Sequence, residues 1–165
     1  MTLFFRMVRT ITLAAWAGAL LYFGFIAKVA FQSFDPVSAG TMVRGSLQAL
    51  HHLGLYAGTV YLIFTVALLA TQRDSHPARA IELVLIISML ALTFYSQYSV
   101  IPRMEADRLS LGGDVTEAST DAPAKIHFER LHGLSVKLEG AVLVEALILL
   151  ALGPIHGRED FDRFA

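Results

Sequence analysis

The chain has 165 residues, enough for one compact domain over 1–165. Hydrophobic residues make up 55% and charged residues 16%, and the net charge of -1 leaves no basic field to hold nucleic acid. Cysteine is absent, which excludes disulfides, thiolate metal sites and thiol catalysis.

Arg6 and Arg9 precede a first apolar run, residues 10–31, read as a retained span rather than a cleaved leader. Within it Ala14 and Gly18 offer a small-residue face for helix packing, and Trp16 lies too deep for an interfacial aromatic belt. Residues 32–52 form a polar or amphipathic loop. It opens with the turn residues "SFDPVSAG" and then a segment able to form a short amphipathic helix. The second span covers 53–70, where Gly54 and Gly58 would admit a neighbouring helix. The third covers 81–101, and a long turn-rich loop follows over 102–132, with Thr120 or Asp121 as the expected cap of the next helix. The fourth covers 133–153.

Each run has about the 20 residues that cross a hydrocarbon layer roughly 30 Å thick. The expected fold is all-α, an integral membrane four-helix bundle. Four spans put both termini on one side, termed side A, near Arg6, Arg9, Arg73, Arg79, Arg158 and Arg163. The closer crowding of these charges makes side A cytoplasmic, with the bacterial inner membrane as the expected location. The lipid bilayer is the expected partner, and a homo-oligomer suits so small a bundle.

Placing Leu50, His51, Leu53 and Ala70 over Leu131, His132, Leu134 and Ala151 gives a constant offset of 81 residues (132 minus 51). The bundle could therefore consist of two helical hairpins related as a parallel repeat.

This topology gathers a candidate polar site towards the opposite side, side B: His51, His52, Arg103, Glu105, His127, His132, Ser135 and Glu139. His132, Ser135 and Glu139 share one helical face, with Glu139 about 10 Å deeper than His132. His51 and His52 point about 100° apart, so they do not readily face one ion. The reading favours His51 or His52 with His132, with His127 as a further member, plus Glu105 or Glu139. Arg103 and Glu105 could pair at the interface. Glu145 lies near mid-span, about 120° round the helix from Glu139, where an acid is costly and often functional. It would be protonated or bonded to Thr65, Tyr61 or Ser88. Glu82 could rest in the headgroup region beside Arg79.

Three functions fit these residues: a small transporter or proton-linked solute-binding protein, a structural or partner-binding membrane protein, and a histidine-based metal or haem module. No cofactor is specified, and no HExxH or nucleophile-elbow motif points to an enzyme.

The segments "WAGALLYF", "LQALHHLGLYAG", "LTFYSQYSVIPRME" and "FERLHGLSVKLEG" resemble the transmembrane protein 205-like family of small four-span membrane proteins, a domain of unknown function. The resemblance covers about Arg6 to Leu152. It implies a four-span fold, with family positions at His51, Pro102 to Glu105, His132 and Ser135, and no established reaction. By the same resemblance, family members often carry asparagine where this chain has Glu139.

Overall fold

The computed structural model describes the backbone of residues 2–71 and 77–162 and the side chains of 3–70 and 79–152. Arg73, His76, His156, Arg158 and Arg163 lie outside the described side chains. Helices account for nearly all of it: α1 Thr2–Ser33, α2 Pro36–Thr71, α3 Pro77–Tyr95, a π-helical turn Ser96–Val100, α4 Ile101–Ser110 and α5 Pro123–Asp162. Among the described residues there is no strand. The described residues thus make four long helices, because α4 continues α3 through the π turn.

Most of the expected loop 32–52 is helical. Only Phe34 and Asp35 separate α1 from α2, and α2 then runs unbroken for 36 residues. Local chemistry explains the sharp restart. Asp35 Oδ1 accepts from the backbone N–H of Val37 at 3.1 Å and of Ser38 at 3.0 Å, while Pro36 fits the first helical position. These bonds, those of Ser38 first, hold the Asp35 carboxyl below its ordinary range. Leucines and alanines then carry the helix across Gly40 and Gly45.

At the other connection, Gly112 and Gly113 adopt φ of 78° and 97°, a left-handed backbone that ends α4. The Gly113 N–H donates to the Arg108 carbonyl at 3.0 Å. Helix α5 starts at Pro123 rather than at a Thr120 or Asp121 cap. Proline pre-sets the first helical φ and pushes the preceding residue out of the helix, so Ala122 marks the boundary.

Packing runs round a ring: α1 against α2, α2 against α3, α3 against α5, and α5 back against α1. The core fills the ring with Leu13, Trp16, Ala17 and Leu20 from α1, Ala57 and Tyr61 from α2, Ile86 and Met89 from α3, and Val142, Ala146 and Leu149 from α5. Their spacing of three and four residues is the helical stripe expected of one inward face. Trp16 is its anchor. A Cβ at Gly54 would lie beside the indole nitrogen and 2.6 Å from Cε2, and one at Gly58 would lie 2.7 Å from Cζ3. Both glycines therefore admit the ring of α1 itself. Ala14 and Gly18 are exposed on the outer face of α1.

The outer surface is apolar. Ile11, Leu21, Tyr22, Ile63, Val66, Val84, Ile87, Phe94, Val144 and Leu147 are all exposed, far more than a water-facing surface normally gathers. Leu3–Ser33, Pro36–Ala70 and Arg79–Ser110 are long and apolar enough to cross a membrane. In α5 the apolar run is interrupted by Lys137, Glu139 and Glu145.

Candidate functional site

The polar residues inside the ring lie at three levels. Nearest side B, His51 is buried with 1% exposure. Its Nδ1 lies 2.8 Å from Gln97 Oε1, and its Nε2 lies 2.6 Å from Glu139 Oε1. The Ser96 hydroxyl donates to the same Glu139 oxygen at 3.3 Å. His51 therefore links α2 to α3 on one side and to α5 across the bundle on the other.

The π turn places the α3 partners. The Ile101 N–H bonds to the Ser96 carbonyl, five residues back, and the widened turn buries both Ser96 and Gln97. Pro102 gives the physical reason. It has no N–H to donate, and in a regular helix its ring would crowd the carbonyl four residues earlier. A π turn just before it relieves that conflict, and such turns recur at functional sites.

Proton bookkeeping on this cluster is tight. With Oε1 of Gln97 facing it, Nδ1 must be the donor. The proton between Nε2 and Glu139 can then reside on either partner, giving an imidazolium–carboxylate pair or a neutral imidazole with a carboxylic acid. Loss of that proton leaves a neutral histidine facing a carboxylate.

At mid-bundle, the Ser88 hydroxyl donates to Glu145 Oε1 at 2.8 Å, while Oε2 is buried with no hydrogen-bond partner. Of Thr65, Tyr61 and Ser88, it is Ser88 that meets this acid, while Tyr61 and Thr65 are engaged elsewhere. Thr65 donates to the Tyr61 carbonyl at 2.8 Å.

Nearest side A, Arg9 donates to Glu82 Oε2 at 2.5 Å and to the Tyr61 hydroxyl at 2.7 Å. Its guanidinium carbon also stands 4.6 Å from the centre of the Tyr61 ring. Glu82 is 4% exposed, so its side chain faces into the bundle. Arg9 links α1 to α3 across the bundle as His51 links α2 to α5.

The other candidates do not join His51. Glu105 pairs with Arg44 of α2 and with Arg108, whose Nε and Nη2 each donate at 2.8 Å. It does not pair with Arg103, which is exposed. Residues two apart on a helix point to different sides, whereas 105 and 108 share one. The Arg108 bonds, then Arg44, hold the Glu105 carboxyl down to about 2. Glu105 belongs to the charged extension beyond Ile101, which carries Arg103, Glu105, Asp107 and Arg108. His127 Nδ1 contacts Asp107 Oδ2 at 2.7 Å on a half-exposed side chain. His132 is exposed and stacks on Phe128, with centroids 6.3 Å apart. His52 is exposed and Ser135 is buried. Of the stripe on α5, Glu139 alone meets His51. The paired repeat positions His51 and His132 accordingly differ in environment, one buried and bonded, the other on the surface. Among the described residues, no three His, Asp or Glu side chains gather in a metal-binding group.

Ser96 and Gln97 are absent from the residues singled out from sequence. Their signal is two adjacent polar residues inside an apolar run, shortly before a proline.

No curated protein and no solved structure matches the chain. A family model described as a domain of unknown function, DUF4149, matches residues 11–108, more than half of the chain. The matched region holds His51, Ser96, Gln97, Trp16 and both close-packed glycines, while Glu139 and Glu145 follow it. The chain belongs to the DUF4149 family.

Proposed function

We propose that the protein is a proton-linked membrane protein, a small transporter or solute-binding bundle, in which the His51–Glu139 pair is the proton-binding group. One observation carries this reading: a wholly buried imidazole held at 2.8 Å by Gln97 and at 2.6 Å by a glutamate of another helix. Ionisable residues inside a membrane are rare, and they commonly mark proton and ion pathways. Gln97 fixes which imidazole nitrogen faces Glu139, so a proton gained or lost there changes the bond that bridges α2 and α5. That couples protonation to the closure of the bundle on side B.

Several features support four spans. Glu139 and Glu145 both have partners inside the bundle, and Lys137 is exposed where its stem can reach side B. Val136, Val144, Leu147 and Ile148 give α5 the same apolar outer face as its neighbours. Residues resembling the transmembrane protein 205-like family run into α5 as well. Both termini then share side A, which we place in the cytoplasm of the plasma membrane on its crowded arginines. The outward-facing Ala14 and Gly18 are where a second copy could approach α1.

The alternative is a structural bundle in which His51–Glu139 and Arg9–Glu82 are fasteners. The two clasps at opposite ends favour it to the extent that neither responds to pH. Infrared difference spectra between mildly acidic and mildly alkaline pH, on protein in lipid nanodiscs, separate the readings. Proton linkage predicts carboxyl and imidazole bands that change together and vanish in both Glu139→Gln and His51→Asn. A Glu139 carboxyl that does not respond across that range overturns it.

A further inference from the structure

The Glu139 level is not where the buried acid chemistry ends. Glu145 lies six residues further along α5, about 9 Å deeper. Its Oε1 accepts from Ser88, but Oε2 is buried and unpartnered. Among the described residues no cation pairs with it. Arg9, on the neighbouring α1, is bound to Glu82 and Tyr61. On α3, Glu82 and Arg79 stand six and nine residues before Ser88, towards side A. A carboxylate with one neutral donor and one bare oxygen is poorly compensated in a hydrocarbon-embedded bundle, whereas the neutral acid is tolerable there.

A second observation lies on the facing helix. Ser96 serves Glu139 and Ser88 serves Glu145. Between them, one turn from Ser96, stands Thr93, 2% exposed, with its hydroxyl oxygen buried and unpartnered. Buried polar atoms normally have partners, and those that do not call for a water, an ion or a catalytic role. Two such oxygens, Thr93 Oγ1 on α3 and Glu145 Oε2 on α5, lie inside the bundle.

We propose that Glu145 is a second proton-binding site, reached from the His51–Glu139 pair through the bundle interior past Thr93. This rests on the proton-linked reading and deepens it. The step conserves protons: a proton leaves Glu139 through water to the Thr93 oxygen, as the threonine's own proton passes through water to an ionised Glu145. Glu139 becomes the carboxylate, Glu145 becomes the acid, and Thr93 is regenerated. Ser88 donates to Oε1 throughout, leaving Oε2 as the atom that receives the proton.

The test is infrared spectroscopy of the full chain in lipid nanodiscs at neutral pH, followed through exchange into heavy water. A protonated-carboxyl band lost in Glu145→Gln, retained in Glu139→Gln and moved to higher frequency in Ser88→Ala is the expected result. Thr93→Val, which keeps the side-chain shape, should slow deuteration of that band several-fold and leave Glu139 exchange unchanged. Absence of any Glu145-dependent carboxyl band overturns the site. An exchange rate indifferent to Thr93→Val overturns the route. Both outcomes differ from failure of the proton-linked reading, which shows as a Glu139 band that ignores pH.

Discussion

Arg9 and Glu82 meet at 2.5 Å across one diagonal of the helix ring, at the opposite end of the bundle from the His51–Glu139 pair on the other diagonal. Ring neighbours pack through their cores, but the diagonals are held by these side chains. Removing Glu82 leaves the Arg9 charge inside the bundle with only the neutral Tyr61 hydroxyl and ring among its described contacts. Glu82→Gln should therefore cost about 2–4 kcal/mol, somewhat less than a fully enclosed pair because Arg9 keeps some exposure. Thermal unfolding in detergent reads this directly. The double variant Arg9→Met, Glu82→Leu should recover most of the loss, since it removes both charges together.

Gly54→Ala should destabilise by about 1–3 kcal/mol, because the new methyl lands on the buried Trp16 indole within a filled core. The Cβ would stand 2.6 Å from Cε2 and 2.9 Å from Cζ2. Gly45→Ala is the control on the same helix, with nothing within 4 Å of its Cβ, and should be neutral or slightly stabilising. Equal losses in the two variants would show that Trp16 does not fill the Gly54 notch.

Gln97→Leu should leave the His51 Nδ1–H buried without an acceptor, costing about 1–3 kcal/mol. It should also free the ring to change tautomer. Nitrogen-15 spectra of histidine-labelled protein should show Nδ1 protonated in the native chain and a mixed state in the variant. An unchanged His51 spectrum would mean that Gln97 does not set the tautomer.

The Arg44–Glu105–Arg108 cluster should give the side-B end an acid-labile fastening. The Glu105 carboxyl is lowered from 4.5 to about 2 in the fold, so its contribution is complete above the ordinary value and drains away as pH falls towards about 2. Solvent screening of these partly exposed groups limits it to about 1 kcal/mol. Glu105→Gln should flatten that part of the stability profile and, measured by hydrogen exchange, loosen Leu111 to Gly113. A profile identical in native and variant chains would remove Glu105 from the account.

The apolar runs were legible because a helix that faces both lipid and a core needs apolar residues nearly all round. Their ends were not. Helices α1 and α2 continue past the apolar residues, since the Asp35 cap and Pro36 restart the helix regardless of hydropathy. The acids Glu139 and Glu145 stand out in any reading of α5, but the partner of Glu139 comes from a helix diagonal to it, and no spacing within one helix encodes that. Residue 51 could be separated from residue 52 by phase alone. Which of them turned inwards depended on the stripe through Gly54, Ala57 and Tyr61. Gln97 escaped notice because its burial beside Ser96 comes with the π turn, which the regular 3.6-residue repeat does not foretell.

That turn also governs what the chain can tolerate in length. A five-residue closure holds one residue more than a regular turn, so it takes up that residue without turning the helix beyond it. Deleting one residue of Ser96–Val100 would return the closure to a regular turn and leave Ile101–Ser110 facing as before. What would change is the joint burial of Ser96 and Gln97, and with it the partners offered to Glu139 and His51. Related chains that lack the turn should therefore be one residue shorter here and should keep the charges beyond Pro102.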